Sequence, residues 1–321
     1  MLREKIVERW FSTDESCPTI LLANINTASN LKDNQKKIEE IVEIAHAKKV
    51  NIIILPEMCL TGFVWETDQK DDMRDYFRSC ANTEIKTWLN HLKDGLTDSG
   101  DGLEYIIFNN PRPLNGEFYN TTYIMHPKGD FNEPDRIYDK IFLTPMEKPY
   151  FKRGADRRLI LDTKWGKFGF LTCYDLCFVE LARKYAFDDH VDAIITQAAW
   201  RSMGFREYPM MNVRTDNYYG FLWDLMNASK AAYNQVWSLG VNTVGDHQVS
   251  GEHYWGGSGV WTPSGMPLIQ ASNLREELIV LHHINIANYH EKHSLEFNYR
   301  VEFNQVYHEF HETNPVPVVL P

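Results

Sequence analysis

Residues 166–183 read GKFGFLTCYDLCFVELAR, and this stretch changes pattern abruptly at its centre. The run Phe168–Thr172 is short, apolar and β-rich, which predicts a buried strand. Apolar residues then recur at helical spacing over Val179–Phe187, which predicts a helix. Cys173 directly follows the strand, and a lone cysteine at such a position is most often a packing residue.

The rest of the chain repeats this alternation of strand and helix. Apolar residues spaced by three, four and seven predict helices over Leu31–Ala45 and Leu222–Asn234. The strands are too apolar to keep one face in water, so helices must cover the sheets and the fold class is α/β. No repeat, low-complexity tract or flexible linker interrupts the sequence, which favours one domain over residues 1–321. The other predicted strands are Thr19–Asn24, Asn51–Leu55, Tyr105–Phe108, Thr122–Met125, Ala193–Thr196, Val236–Val241, Ser258–Trp261 and Leu278–Leu281.

Composition restricts the partners that this chain can have. Of its 321 residues, 33 are basic and 44 are acidic, and the formal charge of −11 works against binding to nucleic acid or to an anionic membrane. A small molecule is therefore the expected partner. The longest apolar run, Ile52–Leu55, is far shorter than the roughly 20 residues of a membrane span. The N-terminal residues lack an apolar signal core, and the five cysteines lack disulfide spacing, so we expect a cytoplasmic protein with free thiols.

Three residues at predicted strand ends have side chains suited to chemistry. Glu57 follows the run NIIILP, and the end of a buried strand is where α/β folds place functional groups. Lys140 lies in YDKIFLTPMEK. Singly, Glu57 is explained as a solvated loop residue and Lys140 as a surface lysine. Together with Cys173 they supply a thiol nucleophile, a proton carrier and a fixed cation for an oxyanion, which is what thiol-mediated amide cleavage requires.

The segments around these residues resemble a known family in order and spacing. NIIILPEMCLTGF (51–63), YDKIFLTPMEKPYFKRG (138–154), GKFGFLTCYDLCFVELAR (166–183) and VDAIITQAAW (191–200) are similar to motifs of the nitrilase superfamily of carbon-nitrogen hydrolases. YNTTYIMHPKGD, NQVWSLGVNTVG and GGSGVWTPSG extend the resemblance to about residues 19–285. It implies a four-layer α/β/β/α sandwich, followed here by an extension over residues 288–321.

The resemblance also implies roles for individual residues. Cys173 becomes the nucleophile, Glu57 the general base and acid, and Lys140 the oxyanion donor, with the backbone N–H of Tyr174 as a second donor. Glu147 matches a second glutamate that orients the lysine and the substrate. A loop carboxylate paired with a neighbouring lysine, Lys148 or Lys152, is the alternative for Glu147. No metal or organic cofactor has a role in this chemistry.

Several departures from the family pattern concern the surroundings of the site. Cys177 replaces an arginine and Val179 a proline, and residues 230–234 read KAAYN where many relatives have Arg-Ala-x-Glu-Asn. An insertion over residues 201–222 follows the strand that ends near Trp200 and is expected to line or cover the pocket. Candidate substrate-binding residues are Trp200, Arg201 and Tyr208, although arginines and tyrosines in loops are mostly solvated or packed.

We therefore predict a hydrolase of carbon-nitrogen bonds other than peptide bonds, acting on a small amide or carbamoyl compound through a thioester. Nitrilase members usually have a Cys-Trp-Glu type sequence at the nucleophile, whereas Cys173-Tyr174-Asp175 looks more like the amidase branches. Nitrile hydrolysis and acyl transfer to an amine remain alternatives within the family. A catalytically silent binding or sensor protein that uses Cys173 and Cys177 is the alternative from another class.

Two further expectations concern reactivity and assembly. Cys173 is expected to be the most reactive of the five thiols, as a partly exposed thiolate of low pKa. The C-terminal stretch holds five aromatic residues from Phe297 to Phe310, too much apolar surface to leave in water. If this stretch packs on a second subunit, a homodimer follows.

Overall fold

A computed structural model describes residues 2–63, 70–208, 213–247, 251, 253–287 and 297–312. Its first large sheet has seven strands, in which β17 lies between β1 and β2 and the order continues through β3, β4, β5 and β6. These strands are β1 (Ile6–Trp10), β2 (Ile20–Asn24), β3 (Ile52–Ile54), β4 (Tyr105–Leu114), β5 (Glu117–Met125), β6 (Ile137–Asp139) and β17 (Glu277–His282).

The second large sheet has six strands in the order β16-β15-β12-β9-β8-β7. Its centre is parallel, with β9 between β8 and β12. The strands are β7 (Ile160–Thr163), β8 (Gly166–Thr172), β9 (Ala193–Ala198), β12 (Trp237–Asn242), β15 (Gly259–Trp261) and β16 (Pro267–Gln270). Two small antiparallel pairs consist of β10 (Arg206–Tyr208) with β11 (Val213–Thr215) and β13 (Val244–Asp246) with β14 (His253–Trp255).

Helices flank the sheets, and two of them, α1 and α3, begin at polar caps. The side chain of Asn30 accepts the N–H groups of Lys32 and Asp33 at the start of α1, and Asn82 caps α3 in the same way. The helices are α1 (Leu31–Ala47), α2 (Lys70–Ser79), α3 (Thr83–Asp94), α4 (Val179–Phe187), α5 (Tyr218–Asn234) and α6 (Tyr299–Glu312). Among the described helices, none is both long and apolar enough to cross a bilayer.

The alternation of side chains along the strands generates the layers. In β2, Ile20 and Leu22 pack into the core between the two sheets, whereas Leu21 packs with α1 and α3 on the outer face. On the other sheet, Gly169 of β8 faces α4, where an added Cβ would stand 2.6 Å from the ring of Tyr185. The chain is thus an α/β/β/α sandwich, which confirms the predicted fold class.

All nine predicted strands are present, and four further strands of the large sheets were not predicted. β1, β6, β7 and β16 are three to five residues long, and none of them is fully buried. All four form sheet edges, and β1, which pairs with β17, has no fully buried residue. Such strands lack the continuous apolar run that identifies a buried strand. The predicted helix over 222–234 starts earlier, at Tyr218, within the insertion.

Lys230, one of the departures from the family pattern, is buried between α5 and the second sheet. The side-chain nitrogen of Lys230 lies 2.5 Å from Thr196 Oγ1 and 3.2 Å from Asn227 Oδ1. Burial lowers the pKa of Lys230 well below its ordinary value of 10.5. The folded protein therefore disfavours the charged amine that the unfolded chain carries at neutral pH.

Lys230→Met is expected to change how stability depends on pH. Where the folded pKa lies below the unfolded one, unfolding takes up a proton, so the wild type gains stability as pH rises toward 10.5. The variant lacks this group, so the wild-type advantage should grow by about 1 kcal/mol per pH unit between roughly pH 8 and 10. Urea unfolding across that range measures it, with the exposed Lys36→Met as control. Parallel curves for wild type and Lys230→Met would contradict a neutral buried amine.

Candidate active site

Three strand ends converge to form the site. Glu57 lies three residues after β3, Lys140 directly follows β6, and Cys173 directly follows β8 in a short 3₁₀ turn, Cys173–Cys177. Glu147 lies in the loop after Lys140. Glu57, Lys140 and Glu147 are fully buried, and Cys173 is 7% exposed. The structure thus brings the sequence-predicted residues together in one place.

The lysine stands between the two glutamates. Lys140 Nζ lies 3.0 Å from Glu57 Oε1 and 2.8 Å from each carboxylate oxygen of Glu147. Among the described ion pairs, Glu147 joins Lys140 and neither of the alternative lysines, and Lys152 pairs with Glu117 at 3.5 Å. Glu147 is therefore placed where it can orient Lys140.

This arrangement fixes the charge of the lysine. Burial alone would favour the neutral amine, but the carboxylates of Glu147 and Glu57 outweigh it and hold the pKa of Lys140 well above its ordinary value. A charged ammonium inside the protein is the group that can stabilise an oxyanion.

Cys173 differs from the sequence-based expectation. Burial, followed by the neighbouring Glu57 carboxylate, raises the pKa of Cys173 well above its ordinary value of 9.0. The expected low-pKa thiolate is wrong for the resting site, because desolvation and a nearby negative charge both favour the thiol. The backbone at Cys173 has φ of 47°, an uncommon left-handed conformation for a residue with a side chain. A thiol in this state would need a proton acceptor before its sulfur could act as a nucleophile.

Asp175 is a site residue to which the sequence analysis gave no role. Its carboxylate accepts the Tyr138 hydroxyl at 2.7 Å, the Phe142 N–H at 2.8 Å and the Thr172 N–H at 3.0 Å. Tyr138 and Phe142 flank Lys140, and Thr172 precedes Cys173, so Asp175 ties the lysine segment to the cysteine turn. Burial raises the pKa of Asp175 to about 6.

Asn120 is the second residue without a predicted role. Its side-chain N–H₂ donates to Glu57 Oε1 at 2.7 Å and to Glu147 Oε1 at 2.9 Å. The backbone N–H of Ala199 donates to the other Glu57 oxygen at 2.8 Å. The family resemblance of residues 119–130 was the available signal for Asn120, and it indicated only a strand.

A cavity of about 420 Å³ opens beside the cysteine. Its described lining is mainly apolar and aromatic, and Arg201 is the one basic or acidic side chain in that lining. The guanidinium of Arg201 lies 3.6 Å from Met146 Sδ. The full lining is Phe63, Thr144, Pro145, Met146, Cys173, Tyr174, Ala199, Trp200, Arg201 and Tyr219.

The other predicted residues are distributed around this cavity. Tyr174 and Trp200 line it, and Trp200 is held by bonds from its N–H to Asn242 Oδ1 and from its ring nitrogen to the Tyr219 carbonyl, both 2.7 Å long. The insertion contributes Arg201 and Tyr219 to the lining and forms the β10–β11 hairpin. Tyr208 ends β10, and its side chain lies outside the described residues.

Cys177 is distinguished from Cys173 by its surroundings. It is half-buried and packs against the main core cluster. Burial raises its pKa to about 11. It is not among the described residues that line the cavity.

Fold and site together define an α/β enzyme with a cysteine at a strand end beside a buried lysine and two carboxylates. The family model of carbon-nitrogen hydrolases matches residues 19–291, and the chain belongs to this family. It is a hydrolase of carbon-nitrogen bonds other than peptide bonds. Both results confirm the sequence-based prediction.

Individual relatives are distant but cover most of the chain. A probable nitrilase from Schizosaccharomyces pombe is 24% identical over 263 residues, which are 80% of this chain and 83% of the relative. The deaminated glutathione amidase of Dictyostelium discoideum is 24% identical over 305 residues, 84% of this chain and 94% of the relative. A solved mutant amidase from Nesterenkonia has a similar fold, with a TM-score of 0.67 at 16% identity over 92% of this chain and 99% of that one.

Proposed function

We propose that this protein is a cysteine-dependent amidohydrolase that cleaves an amide or carbamoyl bond of a small molecule through a thioester. The observation that carries the proposal is the position of Cys173, which meets the cavity on one side and the buried Glu57, Lys140 and Glu147 cluster on the other. Thiol chemistry needs a base, a cation and an accessible carbonyl, and each has a place here.

In the first half-reaction, Glu57 accepts the thiol proton as the Cys173 sulfur attacks the amide carbonyl carbon. Lys140 and the backbone N–H of Tyr174 stabilise the oxyanion of the tetrahedral intermediate. One such donor is worth about a hundredfold to a thousandfold in rate. Glu57 then gives the proton to the departing ammonia or amine as the carbon-nitrogen bond breaks and the thioester forms.

In the second half-reaction, Glu57 takes a proton from a water molecule, whose oxygen attacks the thioester carbonyl. The new tetrahedral intermediate uses the same two donors. Its collapse breaks the carbon-sulfur bond, and the proton held by Glu57 returns to the sulfur. Glu147 keeps Lys140 in place throughout, since it holds the ammonium through both carboxylate oxygens.

The cavity suggests the character of the substrate. A volume of about 420 Å³ suits a small molecule. We propose that its carbon skeleton packs on Trp200 and the neighbouring aromatic side chains, and that Arg201 binds an acidic group on it. Tyr208 remains a proposed contact from the insertion.

A substrate screen tests this function. Small amides, carbamoyl compounds and matched nitriles, with and without an acidic group, are assayed for release of ammonia or amine and for the acid product. Amide turnover is the expected result. Turnover of nitriles alone would favour the nitrilase alternative, whereas turnover that depends on an added amine acceptor would favour acyl transfer. Absence of both acid product and acyl adduct across the panel would favour a silent binding protein.

We further propose a cytoplasmic homodimer in which the C-terminal stretch reinforces the pairing. Free cysteines support the compartment. The apolar side chains of the stretch are 41% to 60% exposed on the single chain, although Phe303 contacts Phe187. Partner contact would bury this surface. The residues concerned are Phe297, Tyr299, Val301, Phe303 and Val306.

Truncation after Asn288 is expected to weaken this dimer. Light scattering should give twice 37.5 kDa for the full chain and a smaller species for the truncated one. A monomeric full chain would contradict the dimer, and a stable, active monomer of the truncated chain would contradict the tail's part in it. The side chains of Tyr307 and Phe310 lie outside the described residues.

A further inference from the structure

Two buried amide side chains connect the backbone beside Glu57 to both carboxylates of the site. Asn109 lies on β4 and Asn120 on the adjacent β5, and both are fully buried. Asn109 Nδ2 lies 2.9 Å from Asn120 Oδ1, and Asn109 Oδ1 accepts the backbone N–H of Met58 at 2.9 Å. Met58 directly follows Glu57, so the chain of bonds begins and ends at the same segment.

The direction of this chain of bonds is fixed by chemistry. A backbone N–H can only donate, so the oxygen of the Asn109 amide must face Met58 and its N–H₂ must face Asn120. The oxygen of Asn120 therefore faces Asn109, and its N–H₂ must face the carboxylates. The partners of the Asn120 amide thus determine which of its two terminal atoms is the oxygen and which is the nitrogen, an assignment that is otherwise ambiguous.

The charge of the site explains why a neutral donor is needed there. Glu57 and Glu147 share one cation, Lys140, and two ionised carboxylates beside one ammonium leave an excess negative charge inside the protein. Asn120 donates to both carboxylates at 2.7 and 2.9 Å and adds no charge of its own. These two bonds fix where the carboxylates stand relative to each other.

We propose that Asn120, oriented by Asn109, is a positioning residue that holds the Glu57 carboxylate aimed at the Cys173 thiol. This rests on the proposed function, in which Glu57 is the base. The charged and titratable side chains grouped with Glu57 are Lys140, Glu147 and Cys173. Asn120 itself is not among the described residues that line the cavity.

Asn120→Leu tests the proposal, since leucine has a similar volume and no donor. We expect kcat to fall about tenfold to a hundredfold with little change in KM, because a bond to a charged group is lost. The matched control is Asn110→Leu, because Asn110 is the buried neighbour whose side chain points to the opposite face of β4.

A second readout does not depend on substrate turnover. Peptide mass spectrometry measures the rate at which iodoacetamide alkylates Cys173. At pH 7 this rate should fall in both Asn120→Leu and Glu57→Gln and should not change in Asn110→Leu. Wild-type alkylation together with a wild-type kcat in Asn120→Leu would overturn the proposal. If the wild type turns over no amide but the alkylation rates separate as expected, the proposed function fails while the positioning role stands.

Folding is checked by circular dichroism before either readout. Should Asn120→Leu lose its folded signal, Asn120→Ser takes its place, because its hydroxyl is too short to span both carboxylates. The same directions are expected for Asn120→Ser, and an unchanged kcat and alkylation rate in that variant would overturn the proposal.

Discussion

Cys173→Ala is expected to fold like the wild type and to lose turnover by a factor on the order of 10⁴ or more, because the covalent route disappears with the sulfur. Folding should be retained since the substitution removes one atom at the edge of a cavity. The backbone conformation of φ 47° is one that alanine adopts at about the same cost as cysteine. Product release and a thermal melt measure the two effects.

The control for this prediction lies four residues away. Cys177→Ala removes a thiol from the same turn, but from the side that packs against the core, and should retain turnover within a few-fold. Iodoacetamide should inactivate both the wild type and Cys177→Ala, because both retain the thiol of Cys173. Turnover by Cys173→Ala above about one per cent of wild type would refute a cysteine nucleophile.

The sequence predicted the central strands and the residues at their ends because both leave local signals. Continuous apolar runs mark β2, β3, β8 and β9, which are buried on both faces. Glu57 and Cys173 each follow a buried strand, so a carboxylate and a thiol become noticeable against the apolar residues before them, whereas Lys140 follows the unpredicted strand β6. Their grouping, however, came from the family resemblance and not from periodicity.

The partners of these residues could not be predicted in the same way. Whether Glu147 meets Lys140 or a neighbouring lysine depends on the path of a loop, which local pattern does not specify. Asn120 and Asp175 act through hydrogen bonds to residues 63 and 37 positions away, Glu57 and Tyr138, and no local periodicity reports such a contact. The raised pKa of Cys173 likewise follows from burial and from Glu57, neither of which the motif around Cys173 contains.

Lys140→Met is expected to abolish turnover and also to destabilise the fold by about 3 to 5 kcal/mol, because breaking a buried ion pair leaves charge without a partner. Glu57 and Glu147 are fully buried and both depend on this ammonium. The pKa of Lys140 is held above 10.5 in the folded state, so its stabilising effect is fully present below pH 10.5 and is lost as pH rises through the folded value. Urea unfolding at pH 7 therefore measures the whole effect.

A second variant separates the two consequences of losing the lysine. Lys140→Met combined with Glu147→Leu removes one of the two carboxylates that the single variant leaves without the ammonium. The double variant should recover part of the lost stability, because replacing a buried ion pair by apolar residues of similar volume often leaves the stability unchanged. Turnover should stay absent in the double variant, because the oxyanion still lacks its cation. A double variant that regains stability but not turnover would place Lys140 in the chemistry itself. Turnover near the wild-type rate in a folded variant without Lys140 would exclude it as the oxyanion donor.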